Sequence, residues 1–301
     1  MGIKGNFFKF LISSAPNSFK RVNVTRKTFP IIAIDTPIYI NKYKSIYGSE
    51  WKEYFLHFLN IFKKEDIFIY CVFDGKSPNE KRSECQQRNQ NRKKTREYIK
   101  TLETGLDEYS STGKINNDLI DANKRFEPLF FNSKEIQECS IKRYIEKMKK
   151  HIHKLTPADF EWVFFAIYDL GYTMMTSKTE AEKYCSYLCT NGTVNAVLSD
   201  DTDLFAHLCP KILSKYNPFS NTCYFVVLQS LLDELGLSRS EFVDFCIMCG
   251  TDYNKNCPQI GTLRAFNFIK KYKSIENFSE QTQTCVDMLN YKRVRELFAL
   301  M

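Results

Sequence analysis

The sequence predicts an α/β fold with a central parallel sheet flanked by helices, a helical insertion and a helical C-terminal part. Short apolar runs rich in β-branched and aromatic residues occur as "FPIIAIDT", "IFIYCVFDG" and "VNAVLSDDTD". Helical patterns such as "GSEWKEYFLHFLNIFKK" lie between them, and this alternation is typical of a parallel sheet covered on both faces. Residues 81–155, between the second and third runs, fit the sheet poorly and indicate an insertion.

Each predicted strand is followed by acidic residues. The first run ends at Asp35, the second at Asp74, and the third at Asp201 and Asp203. In open parallel sheets, ligands bind beyond the carboxyl ends of the strands. We therefore expect these carboxylates to lie close together at one end of the sheet.

The insertion begins with a strongly basic segment. Residues 81–100, "KRSECQQRNQNRKKTREYIK", hold eight Lys or Arg against two Glu, so most of the net charge of +8 lies there. A concentrated basic segment suggests a polyanionic partner such as nucleic acid. A solvated helix face without a specific partner is the alternative. Where the insertion ends, "TPADFEWVFFAIYDLGY" predicts a helix with proline at its first position.

The next helical pattern, "KTEAEKYCSYL", begins with Glu180 and Glu182. A capping box, with Thr179 as the N-cap residue, would explain these acids without any ligand. The same two-residue spacing recurs 21 residues downstream at Asp201 and Asp203. This recurrence favours a metal site.

The chemistry of the acidic residues predicts the kind of metal. Several carboxylates cannot all stay ionised in one place unless cations occupy it. All-oxygen ligands favour Mg²⁺ or Mn²⁺ over zinc. Two such ions about 4 Å apart can activate water and stabilise a leaving oxygen in phosphodiester hydrolysis. With a basic segment nearby, the sequence indicates a metal-dependent nuclease.

The chain resembles the flap endonuclease and XPG family of structure-specific 5′ nucleases, which have a PIN-like fold. The matching stretches are "MGIKG", "IIAIDTPIYI", "VFDGKSPNEKR", "KTEAEKYCSYL", "SDDTDLF", "LGLSRSEFVDFCIMCGTDY" and "IGTLRAFNFIKKYKSIENF". Their order and spacing match the family, and only the insertion and the extreme ends lack a counterpart. The short, divergent chain resembles members from large DNA viruses.

The resemblance implies a site with two Mg²⁺ ions, for which Mn²⁺ can substitute. The implied metal-binding carboxylates are Asp35, Asp74, Glu180, Glu182, Asp201, Asp203 and Asp252. Lys81 and Arg88 match two catalytic cations that family members place over the scissile phosphate. Seven residues apart on a helix, they would share one face. Fixed cations there would stabilise charge that develops on the phosphate.

The resemblance also implies residues that contact DNA. Tyr39 matches an aromatic residue that stacks on the base next to the cut, although a core aromatic residue is an equal alternative. Gly2 matches a residue near the junction of the substrate. Further contacts are expected from the basic segment, at Arg92, Lys93, Lys94 and Arg96.

Residues 240–275 resemble the family's helix, two-turn, helix element, which grips duplex DNA and holds K⁺ through backbone carbonyls. Of the family's paired glycines, one position is Gln259 and the other is Gly261. Losing a glycine where the backbone must approach an ion leaves the potassium site in question. Gly261 and Arg264, at the start of the second helix, are expected to contact phosphates.

The resemblance implies a single nuclease unit, with an N-terminal region at residues 1–80, an arch or cap at 81–155 and a second nuclease region at 156–301. The expected activity is Mg²⁺-dependent cleavage of flapped or branched DNA in replication, repair or recombination, with 5′–3′ exonuclease activity. One alternative is a 5′–3′ exonuclease on linear DNA or RNA. The other is an inactive scaffold that binds DNA junctions.

Several features bear on location and partners. No apolar run is long enough to span a bilayer, the first residues lack a signal peptide, and eleven scattered cysteines are typical of a reduced, intracellular protein. The resemblance implies a monomer that acts in the nucleus or at a cytoplasmic replication site such as a viral factory. No clamp-binding signature follows the last helix, so docking to a sliding clamp is not expected.

Overall fold

The centre of the fold is a seven-stranded sheet with the order β1-β7-β6-β5-β2-β3-β4. A computed structural model describes residues 2–124 and 136–299. The strands are β1 Phe19–Asn23, β2 Ile31–Asp35, β3 Phe68–Phe73, β4 Thr173–Thr176, β5 Ala196–Leu198, β6 Lys211–Asn217 and β7 Thr222–Val227. Strands β6, β5, β2, β3 and β4 are parallel, which confirms the predicted sheet, and β7 and β1 add an antiparallel edge.

Helices cover the sheet and form the insertion. Before and within the insertion they are α1 Phe7–Ser14, α2 Thr36–Tyr47, α3 Trp51–Lys64, α4 Arg82–Thr112, α5 Asn117–Lys124 and α6 Glu138–His151. The later helices are α7 Pro157–Asp169, α8 Ala181–Thr190, α9 Asp203–Ala206, α10 Leu228–Leu235, α11 Arg239–Cys249, α12 Thr262–Tyr272, α13 Ile275–Thr282 and α14 Tyr291–Phe298. In the described part of the chain, no helix is long and apolar enough to cross a membrane.

Local sequence signals explain where key helices begin. Helix α7 starts with a capping box between Thr156 and Asp159 and has the predicted proline at its first position. Helix α11 starts with the same device, formed by Ser238 and Glu241. Each box satisfies amide groups that would otherwise lack partners at a helix end.

Two apolar cores lie against the sheet, and a third lies within the insertion. One sheet core includes Phe7, whose ring centroid is 5.3 Å from that of Phe245. The other includes Phe58, packed at right angles to Phe62. The insertion has its own cluster, built on Leu102 and other buried residues of α4, α5 and α6. Helices α4 to α6 therefore form a layer with a small core of its own.

The topology places the predicted acids together. Strands β5, β2 and β3 are neighbours in the sheet and run parallel. Asp35 is the last residue of β2, Asp74 follows β3, and Asp201 follows β5. Their side chains therefore lie at the carboxyl end of three adjacent strands, as the rule for parallel sheets predicts.

Candidate metal centre

The carboxyl end of the sheet holds an acidic cavity of about 330 Å³. Residues at the ends of the three strands contribute Asp35, Asp74 and Asp201 to its lining, the start of α8 contributes Glu180 and Glu182, and the turn after α11 contributes Asp252. Asp203, in the first turn of α9, is fully buried behind them. Six of the seven predicted carboxylates are buried, and only Asp74 is exposed.

Burial makes the ionised carboxylates unfavourable in the absence of cations. The pKa of Asp203 lies well above its ordinary value because of burial, with Asp201 adding like charge. Burial and the neighbouring Asp201 raise the pKa of Glu182 in the same way. Neither carboxylate oxygen of Asp203 has a hydrogen-bond partner among the described residues. A bound cation would supply the partner that these two buried acceptor oxygens lack.

Hydrogen bonds fix the orientation of the strand-end acids. The Ser199 hydroxyl donates to Asp35 at 3.0 Å and accepts from the backbone amide of Asp201, also at 3.0 Å. Asp201 in turn accepts from the amide of Asp203 at 3.0 Å. The two central strands and α9 are thus linked through one chain of hydrogen bonds. This network holds the carboxylates in place before any ligand binds.

The two glutamates are not explained by a capping box. The Thr179 hydroxyl is buried without a hydrogen-bond partner among the described residues, and Glu180 makes no side-chain cap. The amide of Ala181, at the start of α8, instead donates to Asp74 at 2.9 Å. The capping alternative is therefore wrong, because the end of β3 caps the helix. The carboxylates of Glu180 and Glu182 face the cavity instead.

The N-terminal glycine packs against the acids. Gly2 is buried with φ at +86°, a conformation that other residues adopt at a cost. A Cβ atom there would lie 2.1 Å from Asp201 Oδ1 and 2.7 Å from Thr202 Oγ1. The amide of Ile3 donates to the Thr202 hydroxyl at 2.8 Å. Gly2, predicted to lie near the substrate junction, thus packs closely against Asp201 and Thr202.

Lys81 and Arg88 lie within the acidic cluster. Lys81 forms an ion pair with Glu180, and its Nζ lies 3.4 Å from an Asp252 oxygen. Arg88 contacts both oxygens of Asp252 with one guanidinium nitrogen, at 2.8 and 2.7 Å. Burial acts to lower the pKa of Lys81, but Glu182 and Glu180 outweigh it and raise the pKa. Both side chains therefore stay charged.

The acidic set has the ligand chemistry of a divalent metal site, although Lys81 and Arg88 now pair with its members. As they stand, no three Asp, Glu, His or Cys side chains in residues 2–124 and 136–299 are arranged to hold one ion. Lys81 lies among them, and Arg88 contacts Asp252. The donors are all carboxylate oxygens, a set suited to Mg²⁺ or Mn²⁺. The unpartnered oxygens of Asp203 are the observation that best matches such an ion.

Sequence reasoning missed one residue of this site. Tyr253 is buried, and its hydroxyl donates a hydrogen bond to Glu180. Burial and the nearby Glu180 raise the pKa of the phenol, so it remains protonated and can donate. Tyr253 therefore orients Glu180. The available signal was its place directly after Asp252 in the "GTDY" motif.

The other predicted cations lie farther along α4. Arg92 lines the acidic cavity, one turn beyond Arg88. The side chains of Lys93, Lys94 and Arg96 are exposed, and Lys93 lies 3.9 Å from an equally exposed carboxylate, that of Glu97. The basic segment thus has one end whose cations contact the buried acids and another end that is exposed.

Tyr39 requires a correction. Its ring is buried and stacks on Phe58, with the ring centroids 4.9 Å apart, and its hydroxyl has no hydrogen-bond partner among the described residues. A DNA base cannot stack on the Tyr39 ring, because Phe58 covers one face of it and almost none of the ring is exposed to solvent. Tyr39 is the core aromatic residue that the alternative interpretation expected, since the apolar face of α2 turns it inward.

The predicted DNA-gripping element lies at the turn between α11 and α12. Gln259 has φ at +64°, in the left-handed region that glycine adopts most easily. Its carbonyl accepts from Arg264 Nη1 at 2.8 Å. Gly261 is exposed and directly precedes α12, at the helix N-terminus. Arg264 thus occupies the Gln259 carbonyl, in the turn where the family resemblance implies a K⁺ site.

Comparison with known proteins relates this architecture to nucleases. Residues 171–252, which contain five of the seven acids, match the family described as the XPG I-region. The chain is 27% identical to the probable RAD2-like endonuclease 369L of Invertebrate iridescent virus 6, over 99% of this chain and 79% of that protein. It is also 27% identical to flap endonuclease 1 of Cryptosporidium muris, over 99% of this chain and 62% of that protein. Its fold matches the catalytic core of Rad2, solved in complex with a DNA substrate, with a TM-score of 0.65, 18% identity, and coverage of 98% of this chain and 79% of that one.

Proposed function

For this chain, which belongs to the flap endonuclease and XPG family, we propose the activity of a Mg²⁺-dependent, structure-specific 5′ nuclease. Its substrates would be flapped or otherwise branched DNA, with 5′–3′ exonuclease activity on ends. The observation that carries the proposal is the complete set of seven carboxylates at one end of the sheet, six of them buried. An inactive junction-binding scaffold has no need of such a costly set of buried acids.

The carboxylates would hold the metal ions, and each neighbouring residue has a distinct task. When bound, two divalent ions would supply an activated water and stabilise the leaving oxygen. Tyr253 would keep Glu180 oriented through its hydrogen bond. Ser199 would do the same for Asp35. Gly2 would leave room for Asp201, because any side chain there meets that carboxylate.

Lys81 and Arg88 would act on the phosphate. In the free chain they neutralise Glu180 and Asp252. Metal ions would replace them as partners of these acids, and the released cations would then be within reach of a phosphate in the same cavity. Cations already fixed at a site where charge develops stabilise the transition state without much reorganisation.

The exposed end of α4 and the turn before α12 would supply binding. Arg92, Lys93, Lys94 and Arg96 form a basic stretch on one helix, and contacts of such residues with phosphates give affinity without sequence preference. The first amides of α12, which follow Gly261 and receive no side-chain cap from it, would bind a phosphate of the duplex.

The decisive test compares two adjacent aspartates. Asp201→Asn keeps the acceptor for the amide of Asp203 but removes a cavity charge. Asp200→Asn, the matched control, changes an acid that instead pairs with Lys42 at 2.7 Å. With Mg²⁺ and end-labelled flap, nicked and single-stranded DNA, we expect Asp201→Asn to lose cleavage but to bind flaps within a few fold of wild type.

The control variant should cleave normally. Full cleavage by Asp201→Asn, or cleavage by wild type in EDTA, would overturn the metal-dependent mechanism. Preference for single-stranded over flap substrates would instead support the exonuclease alternative.

A further inference from the structure

The last helix, α14, lies outside the acidic cavity but contacts four segments that carry residues of the candidate metal centre. All of α14 belongs to the described part of the chain, and it contributes no residue to the cavity lining. The four segments are the turn before α4, helix α8, the end of helix α9 and the turn after α11. The partners of α14 in these segments are Glu80, Lys183, His207 and Tyr253.

Phe298, the last residue of α14, packs on the ring of Tyr253. Phe298 is 2% exposed, and its ring centroid lies 5.2 Å from that of Tyr253, with an angle of 62° between the ring planes. Aromatic pairs prefer such edge-to-face arrangements, so each ring restrains the orientation of the other. The Tyr253 hydroxyl donates to Glu180. Phe298 therefore restrains the ring whose hydroxyl orients a carboxylate of the cavity.

His207 fixes the end of α14 at which Phe298 lies. The imidazole is buried, and burial lowers its pKa to about 3, so the ring is neutral. Because the Phe298 carbonyl oxygen can only accept, the contact of 3.2 Å makes His207 Nδ1 the donor. The two rings also pack edge to face, with their centroids 5.1 Å apart. The amide of His207 donates to the Asp203 carbonyl at 2.9 Å, so the end of α14 is linked to the short helix that carries Asp203.

Two further contacts link α14 to α8 and to the start of the insertion. On α8, Lys183 Nζ donates to the carbonyl of Leu297 at 3.0 Å. Arg293 Nε donates to Glu80 at 2.8 Å, and Glu80 directly precedes Lys81. The position of α14 is therefore linked to segments on several sides of the cavity.

Arg295 anchors α14 to its neighbours α11 and α13. Its guanidinium donates to both oxygens of Asp244 on α11, at 2.7 and 2.6 Å, and to both oxygens of Glu276 on α13, at 2.7 and 2.8 Å. Paired hydrogen bonds from one guanidinium to a carboxylate are strong and geometrically specific. Helix α14 can hold other residues in place because its own position is fixed.

We propose that Phe298 is a positioning residue of the candidate metal centre, an inference that rests on the proposed function. The Phe298 ring, fixed at the end of α14 by His207, holds Tyr253 so that its hydroxyl keeps Glu180 in the orientation that a divalent cation requires. Residues that orient metal ligands change metal affinity although they do not touch the metal. A residue that only fills the core would affect the stability of the chain and not its affinity for metal.

Titration of the metal-free chain with Mn²⁺ tests the proposal without DNA or cleavage, because electron paramagnetic resonance measures the free ion. Phe298→Leu removes the ring and should raise the Mn²⁺ dissociation constant roughly tenfold. The matched control is Phe278→Leu, because Phe278 is equally buried in the same apolar core but packs on Phe268 and Tyr272. In urea unfolding the control should lose about as much stability as Phe298→Leu, but it should bind Mn²⁺ as wild type does.

A double-mutant cycle shows whether Phe298 acts through Tyr253. Tyr253→Phe removes the hydroxyl that donates to Glu180 and should also raise the dissociation constant roughly tenfold. If both residues act on Glu180 by one path, adding Phe298→Leu to Tyr253→Phe should weaken binding by less than about twofold more. Independent effects would multiply to roughly a hundredfold loss and would overturn the proposed path.

The His207 contact provides a second pair of variants that leaves both aromatic rings in place. His207→Leu removes the donor to the Phe298 carbonyl and should raise the Mn²⁺ dissociation constant about threefold or more. His207→Asn keeps an N–H donor near the position of Nδ1 and should bind Mn²⁺ nearly as well as wild type. If Phe298→Leu does not fold, this pair decides the question, and equal affinities of the two variants would overturn the proposal.

The outcomes separate this inference from the proposed function. Equal Mn²⁺ affinity of wild type and Phe298→Leu, or an equal loss of affinity in Phe278→Leu, would overturn the positioning role while a metal-dependent wild type still stands. A wild type that binds no Mn²⁺ would overturn the inference together with the proposed metal-dependent function.

Discussion

The two ends of the basic segment carry the same kinds of side chain in opposite surroundings. Lys81 and Arg88 contact buried carboxylates, whereas Lys93 and Lys94 point into solvent a turn or more further along α4. Charge interactions are strong where water is excluded and are weakened by solvent and salt where it is not. Under the proposed function, position on the helix therefore separates cations that would act on bond cleavage from cations that would only attract DNA.

The largest difference between the two ends of the basic segment should appear in the free energy of unfolding measured without metal. Lys81→Met removes the cation between Glu180 and Asp252, and breaking a buried ion pair on one side costs about 3–5 kcal/mol. Urea unfolding in EDTA should show this loss. Lys93→Met, on the exposed end, should change the free energy of unfolding by less than about 0.5 kcal/mol.

Metal and pH should modulate this loss in a defined direction. On the proposed metal mechanism, Mg²⁺ would bind the folded cavity and not the unfolded chain, so it should restore part of the stability of Lys81→Met. Burial raises the pKa values of Glu182 and Asp203 in the folded chain, so the folded state binds protons more readily than the unfolded chain. The free energy of unfolding without metal therefore falls as pH rises above the ordinary carboxyl pKa. The destabilisation caused by Lys81→Met should accordingly be larger at pH 8, where these carboxylates are more fully ionised, than at pH 5. Equal losses for the two lysine variants would erase the distinction between the ends.

The next largest effect concerns the chemical step. Arg88→Ala should lower single-turnover kcat on a flap substrate by roughly 10² to 10³, or about 3–4 kcal/mol, as expected for a fixed charge-stabilising donor. Affinity, measured with Ca²⁺ in place of Mg²⁺, should weaken only slightly. If kcat at saturation is unchanged and only affinity falls, Arg88 is a tether and its assignment as a catalytic residue is wrong.

The exposed end should show the reverse pattern. Replacing Lys93 and Lys94 together by Ala should raise the dissociation constant around tenfold. The slope of log K against log salt concentration should decrease by about one unit per lysine. Single-turnover kcat at saturating DNA should stay at the wild-type value. A fall in kcat comparable to that of Arg88→Ala would mean that the whole helix, not only the end beside the acids, takes part in the chemical step.

The smallest effect is expected at the turn before α12. Arg264 already donates to the Gln259 carbonyl, so K⁺ has little to gain there. Exchanging K⁺ for Na⁺ at constant ionic strength should leave duplex affinity unchanged within about twofold, which fluorescence anisotropy can measure. A marked preference for K⁺ would show that the ion binds despite Gln259. Gln259→Gly offers a positive control, because it relieves the positive φ at that residue.

The sequence by itself determined the sheet and its acids. Apolar runs that end in Asp35, Asp74 and Asp201 define parallel strands, and the topology of such sheets obliges their carboxyl ends to meet. The paired spacing of Glu180 and Glu182 was a local signal of the same kind. The predicted sheet was confirmed because strand periodicity and residue type are properties of short stretches of chain, whereas the metal-binding role of these acids stays a prediction.

Tertiary structure alone decided the partners of these residues. Lys81 contacts Glu180 across 99 positions of sequence, and Tyr253 reaches the same carboxylate across 73. Gly2 packs on Asp201, Tyr39 is turned into the core, and the aromatic residues of α7 remain uncovered. A local pattern shows that a side chain is charged or apolar, but its burial depends on which distant segment packs against it. For that reason the grouping of the acids was predictable from the sequence, whereas the pairing of the nearby cations was not.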